Sequence, residues 1–391
     1  MIPLMKNPFL RASETKERLA KFIATTNRFS MGPECRKFER AFAGYQGAKD
    51  AVLFNSGGSA NLAIFQTLVN LGLLSRGDRV GFSSLTWSTN VMPLFQLGLE
   101  PVPVDCSTST LNVMSKDLLA RLEETDLAAL FITNAMGFAG DLGEIKKICD
   151  EREILLLEDN CEALGTVLPE GKAGSFGKMT SFSFFIAHHM STIEGGMVCT
   201  DDQDLAEMLR IVRANGWDRN LTAAQQRKWR KKYEVDSEFD AKYTFYDLGY
   251  NMRPTEITGF MGSCQMDFLD ETVEARERNY DLLAAVSAEN PDLNDLDRSH
   301  IDVLSCFAFP VLCKTPDLRQ SYLAQFAGAG VEIRPMIAGN IQNQPFYKKH
   351  ADKTYDLPGT QKVDQCGFYC GNYPELTEAD LEVLASCLEK Y

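Results

Sequence analysis

The sequence predicts an α/β protein: a mainly parallel sheet with helices on both faces, followed by a smaller α+β unit. The apolar runs at 51–54, 79–82, 101–104, 129–132 and 154–157 are continuous rather than alternating, as in strands buried on both faces. Segments of helical length separate them, at 60–73, 115–122 and 141–152, which gives βαβ alternation. A chain of 391 residues, 45% apolar, can bury a large core and still supply a second unit.

Taken in order, Ala51-Val52-Leu53-Phe54 opens the sheet and runs into a Gly-Ser turn. Arg79-Val80-Gly81-Phe82 is followed by Leu85-Thr86-Trp87, and Ile154-Leu155-Leu156-Leu157 delivers Glu158-Asp159-Asn160-Cys161-Glu162. Ligands of open parallel sheets gather at the carboxyl ends of strands, so the residues after each run are the functional candidates. Beyond Asp267 the pattern changes to a long charged helix at 271–288, strand candidates at 305–311 and 331–335, and a closing helix at 378–389. The expected division is a large unit, 1–267, which includes the N-terminal segment, and a small unit, 268–391. There is no internal repeat or low-complexity segment.

A net charge of −14 argues against nucleic acid or an anionic membrane as a general partner. Residues 1–13 have no long apolar core, and no run approaches the ~20 apolar residues of a membrane span, so the expected setting is cytoplasmic. Eleven scattered cysteines, an odd number, suit reduced thiols rather than a disulfide framework.

The turn Asn55-Ser56-Gly57-Gly58-Ser59 follows a strand and opens a helix. Its amides and the helix dipole would favour a phosphate, although Gly-Gly also makes an ordinary turn. Trp87 could cover an aromatic ring or pack in the core. Asp159 and Glu162 follow a wholly apolar strand, where burial of carboxylates calls for a cationic partner such as a protonated pyridine; a helix cap near Cys161 is the plain alternative for Asp159. Adjacent residues on an extended segment point to opposite sides, so His188 and His189 are poorly placed to chelate one metal, and no metal is expected. The run Arg227-Lys228-Trp229-Arg230-Lys231-Lys232 either cradles a diphosphate or is a solvated face. Arg334 ends a strand candidate, where it could grip a carboxylate, meet a diphosphate or pair locally.

These segments stand in a family order. The turn at Gly57, Trp87, Asp159-Asn160, Ser183-Phe184, Glu194-Gly195-Gly196 and Gly249-Tyr250-Asn251-Met252-Arg253 together resemble the DegT/DnrJ/EryC1/StrS sugar aminotransferases, which carry pyridoxal 5′-phosphate (PLP). The fold implied is PLP fold type I. Family sequences read Ser-Phe-x-x-x-Lys-x-x-x-x-x-Glu-Gly-Gly, with the lysine holding PLP as an imine; here that position is His188. An imidazole cannot form the imine, yet near neutral pH it accepts and donates protons. With Leu157-Glu158-Asp159-Asn160-Cys161-Glu162 and Asn215-Gly216-Trp217-Asp218-Arg219-Asn220-Leu221, the resemblance narrows to the 3-dehydratase branch that serves colitose in lipopolysaccharide O-antigen.

The resemblance implies that Asp159 pairs with the pyridine nitrogen, Trp87 covers the ring, Gly57, Gly58, Ser59 and Ser183 hold the phosphate, and Glu162 contacts the cofactor. Asn251, with Arg219, would reach in from the second subunit of a homodimer, and Arg334 would serve glutamate or the sugar. Gly58 replaces the usual Ser or Thr, so a hydroxyl contact is lost or passed to Ser59. The implied reaction is C3 deoxygenation of a nucleotide-linked 4-keto-6-deoxyhexose, GDP-linked by preference. His188 is the base, and L-glutamate regenerates the amine form of the cofactor, pyridoxamine 5′-phosphate (PMP). A related CDP-sugar enzyme uses an iron–sulfur cluster on Cys-x-Cys-x-x-Cys with a reductase; Trp217-Asp218-Arg219 occupies that region here, so no such partner is expected. Open alternatives are another nucleotide sugar, a non-catalytic binder, and an aminotransferase with a displaced lysine such as Lys178.

Overall fold

The computed structural model describes residues 1–390. In chain order the large unit carries β1 (Asp50–Phe54), β2 (Arg79–Ser83), β3 (Glu100–Val104), β4 (Ala129–Thr133) and β5 (Leu155–Asp159). A hairpin of β6 (Val167–Leu168) and β7 (Gly171–Lys172) follows, then β8 (Met179–Ser183) and β9 (Gly196–Thr200). Seven of these form one sheet in the order β1-β9-β8-β5-β4-β2-β3. The pairs from β8 to β3 are parallel, and β9 runs antiparallel between β1 and β8. The mainly parallel sheet is therefore present. Strand β9 escapes the apolar runs as an exception, because a fully buried strand reads the same in either direction.

Both faces of the sheet are covered. Val52, Phe65, Phe82, Phe131 and Leu209 pack on one side, and Val102, Leu130, Ile132, Leu142 and Ile145 on the other. A buried ion pair fixes the entry to the first turn. Arg213 Nη1 donates to Glu39 at 2.7 Å and to the Leu53 carbonyl at 2.6 Å, while the Leu53 N–H donates to Glu39 at 2.9 Å. Desolvation offsets most of the attraction in such a pair, so its main effect is to set the register of β1.

The small unit holds β10 (Ala308–Leu312), β11 (Ile333–Pro335) and β12 (Gly367–Gly371) in an antiparallel sheet ordered β10-β12-β11. Helices Leu269–Ala288, Pro316–Gly328 and Glu378–Leu388 belong to the same unit. The strand expected from 305 begins only at Ala308, because the carbonyls of Ser305, Cys306 and Phe307 are taken by His189 and Arg276. The N-terminal segment touches both units. Ile2 exchanges backbone hydrogen bonds with Gly330 and Glu332, each at 2.8 Å, whereas Phe22 stacks on Phe260 at 4.3 Å. Among the described residues no helix is long and apolar enough to cross a membrane.

Candidate active site

Three strand ends converge because glycine lets them. Ser56 caps the helix Gly57–Asn70, its Oγ accepting the Ser59 N–H at 3.0 Å. A Cβ on Gly57 would stand 2.7 Å from that of Ser183, and a Cβ on Gly196 would stand 2.2 Å from the Ser56 carbonyl oxygen. The start of β9 thus lies against the helix N-terminus, and the first-turn amides open beside Ser183, a geometry suited to an anion. The Ser59 hydroxyl lies 3.0 Å from that of Ser56.

Asp159 ends β5 at 5% exposure. Its Oδ2 accepts from Asn90 at 2.7 Å and from Asn61 at 3.0 Å, and its Oδ1 accepts the Cys161 N–H at 2.9 Å. The cap alternative is met only in part, since a turn rather than a helix begins at Cys161. All three donors are neutral and leave the charge of Asp159 for a cation. Trp87 is 58% exposed, so it is not core, and its carbonyl accepts the Asn90 N–H at 3.1 Å, which places it in the same turn as a donor to Asp159. Glu162 accepts the Met136 N–H at 2.8 Å. Burial pushes its carboxyl up to about 8 against that hydrogen bond, with Asp159 adding, so it is neutral at pH 7 and can donate. Neighbouring Glu158 is structural: Asn134 and the amides of Gly174, Phe176 and Gly177 all donate to it.

The segment joining β8 to β9 is a turn, not the extended stretch expected for the histidine pair. The His188 N–H donates to the Phe185 carbonyl at 3.0 Å, and the Thr192 N–H donates to that of Phe184 at 2.9 Å, which folds the chain back. The two imidazoles part nonetheless. His188 is partly exposed, its ring centroid 6.5 Å from Phe185 and 5.3 Å from Phe307. Burial pulls it down to about 4; Asp159 opposes and Arg276 reinforces the shift. His188 is therefore unprotonated at neutral pH, and its Nδ1 has no partner among the described residues. His189 is 5% exposed and lies well below the usual range, through burial first and Arg276 second. Its Nε2 lies 2.9 Å from the Ser305 carbonyl, which assigns the proton to that nitrogen.

Other candidates fall elsewhere. Asn251 and Arg219 line a separate groove with Arg28, Arg36 and Arg253, and Arg219 sits 5.4 Å above Trp217. Arg334 is exposed and takes the local option, 2.5 Å from Glu332, across the ladder from Tyr369. The basic run lies in the helix Ala223–Lys232, where two of its cations meet acids: Lys228 meets Asp204 at 2.8 Å, and Arg230 meets Asp218 at 2.9 Å and Glu238 at 3.0 Å. The solvated-face alternative is thus met at Lys228 and Arg230, while Lys232 lies over the Trp229 and Tyr233 rings. Lys178 precedes β8 at the end remote from Ser183, roughly 16 Å of strand away. All eleven cysteines are free, and among the described residues no group of three or more His, Cys, Asp or Glu is placed to hold a metal ion. Asn61, Asn90, Phe307 and Arg276 were not singled out from the sequence. Asn61 and Asn90 reach Asp159 only through the fold, and Phe307 and Arg276 lie far along the chain from the histidines, so no local pattern marks them.

Residues 11–389 match the DegT/DnrJ/EryC1/StrS aminotransferase family. The GDP-4-keto-6-deoxy-D-mannose 3-dehydratase of Yersinia pseudotuberculosis is 32% identical over 374 residues, 94% of each chain. A histidine-to-asparagine variant of GDP-4-keto-6-deoxymannose-3-dehydratase with bound GDP-perosamine superposes with a TM-score of 0.90, at 29% identity over 100% of both chains. The same enzyme with a trapped PLP-glutamate geminal diamine gives the same score, identity and coverage.

Proposed function

The chain belongs to the DegT/DnrJ/EryC1/StrS aminotransferase family, and from that premise we propose that it removes the C3 hydroxyl of GDP-4-keto-6-deoxy-D-mannose, using PLP in its amine form, PMP, with L-glutamate as amino donor. The observation that carries the reading is His188, an unprotonated imidazole with an unpartnered nitrogen where the family's lysine stands. Likeness to a dehydratase at 32% identity supports the reaction, and the ligands named for its structural neighbours support a GDP-sugar and glutamate.

The residues present fit the cofactor. A glycine cradle beside Ser183 suits the phosphate, Asp159 offers a charge met only by neutral donors, and Trp87 presents an uncovered indole. Bound there, the cofactor would supply an electron sink for the pair left on carbon by loss of a proton, the pair that expulsion of the C3 hydroxyl consumes. Asp159 would hold the proton of the pyridine nitrogen, and the neutral Glu162 carboxyl would donate to an anionic oxygen. His188 would take a proton from carbon and return it to the departing hydroxyl. Lacking the family lysine, the site makes no covalent link that would compete with elimination.

Asn251 and Arg219 line a groove that includes none of Asp159, Ser183 and His188, which suits a homodimer in which they serve the partner's site. The protein would work in the cytoplasm without an iron–sulfur reductase. A displaced-lysine aminotransferase is disfavoured by the remote position of Lys178.

The deciding experiment supplies GDP-4-keto-6-deoxy-D-mannose, PMP and glutamate and weighs the product. A product lighter by one oxygen, absent with His188→Asn at cofactor affinity within about threefold of wild type, is expected. A C4-amino product, or a borohydride-reducible bond between cofactor and chain, would refute the reading.

A further inference from the structure

Arg276 is a fully buried cation beside His188. It lies in the helix Leu269–Ala288 at 1% exposure. Its Nη1 donates to the carbonyls of Phe307 at 2.7 Å and Cys306 at 3.3 Å, and to that of Asn372. Its Nε has no partner among the described residues. Every acceptor is a neutral carbonyl, and a buried guanidinium without a carboxylate is expensive where an aliphatic chain of similar volume would pack.

The turn that it grips leads to both histidines. Ser305 accepts from His189, and the Phe307 ring lies 5.3 Å from His188 and 6.3 Å from His189. Asn372 braces the same turn, its Nδ2 donating to the Cys306 carbonyl at 3.1 Å. We propose that Arg276 is a positioning residue for His188: through the 305–307 turn it seats Phe307 against the imidazole and sets a positive charge near the ring. The inference rests on the reading of His188 as the base.

The surrounding charges agree. Asp159, from β5, draws a proton towards His188; Arg276, from the helix, repels it; the other groups at the ring are the Cys161 backbone and the neutral His189. On the far side Arg276 itself feels Cys306 and Glu375, and burial still brings its guanidinium down to about 10.

The test is the pH profile of single-turnover dehydration of GDP-4-keto-6-deoxy-D-mannose by PMP-loaded protein. Arg276→Met should raise the acid limb by about one pH unit and cut the plateau at least tenfold, with KM within about threefold. Arg276→Lys keeps the charge and should leave the limb in place while losing part of the plateau. Phe307→Leu should lower the plateau without moving the limb. An unshifted limb and intact plateau in both Arg276 variants, or a loss of stability alone, would overturn the proposal. Should Arg276→Met fail to fold, unchanged plateaus in Arg276→Lys and Phe307→Leu overturn it instead. Dehydration that survives His188→Asn sinks the base assignment itself; dehydration lost there, beside unshifted Arg276 variants, sinks only this inference.

Discussion

Asp159 carries a charge that three neutral donors solvate without neutralising. Asp159→Asn keeps the shape but removes a charge-assisted hydrogen bond of about 1.5–3 kcal/mol to a pyridinium, so turnover should fall at least tenfold while the fold persists. Turnover near that of wild type would remove Asp159 from the site. The histidines make a second prediction. Both are held neutral, His188 at about 4 and His189 well below its usual range, whereas the unfolded chain titrates near 6.5. Below that value the unfolded state binds more protons, so stability should be lost as pH falls from about 6.5 towards 4, by up to about 1.4 kcal/mol per pH unit for each histidine. Glu162, held up to about 8, and Glu158, also raised, act with the opposite sign in the same window, so the check is a difference: in denaturant unfolding of cofactor-free protein between pH 6.5 and 5, His189→Gln should lessen the loss of stability relative to wild type by up to about 1.4 kcal/mol per pH unit. An unaltered slope would mean that His189 contributes none of it. Residue type explains what was legible here. Histidine in a lysine's place and aspartate at a strand end each point to one chemistry. An asparagine does not: Asn61 and Asn90 meet Asp159 across 98 and 69 positions of sequence, and nothing local marks them.

At the scale of elements, close approach outranks propensity. Gly196 is confined because a Cβ would enter the Ser56 carbonyl, whereas Gly44 in the helix Pro33–Gln46 has open space around it. Gly196→Ala should push β9 off the helix N-terminus and weaken cofactor binding at least tenfold, while Gly44→Ala should stabilise by about 0.5–1 kcal/mol through helix propensity. Equal behaviour of the two variants in a cofactor titration would detach the convergence of strands from phosphate binding. The β1 to β5 strands were legible because burial on both faces leaves unbroken apolar runs. The turn between β8 and β9 was not. Its shape comes from hydrogen bonds between residues such as Phe184 and Gly195, and from Ser305 in the other unit, which no periodicity records.

At the scale of the whole molecule, the candidate residues fall into two groups. His188, Asp159 and the glycine turn share the strand ends, while Asn251 and Arg219 line a groove of arginines elsewhere. Trp87, Phe185, Ile186, Phe245 and Leu248 are all exposed apolar side chains. If the sites are shared, two inactive variants can repair each other. In a mixed dimer of His188→Asn and Asn251→Asp chains, one site receives both defects and the other receives neither. Random exchange of equal amounts makes half of the dimers mixed, so about 25% of wild-type activity should return from two preparations that are each inactive. If Asn251 serves the site of its own chain, every site in the mixture keeps one defect and nothing returns. The same exchange run with Arg219→Ala in place of Asn251→Asp tells whether Arg219 crosses the interface too: recovery places it in the partner's site, and activity in that variant alone removes it from any site.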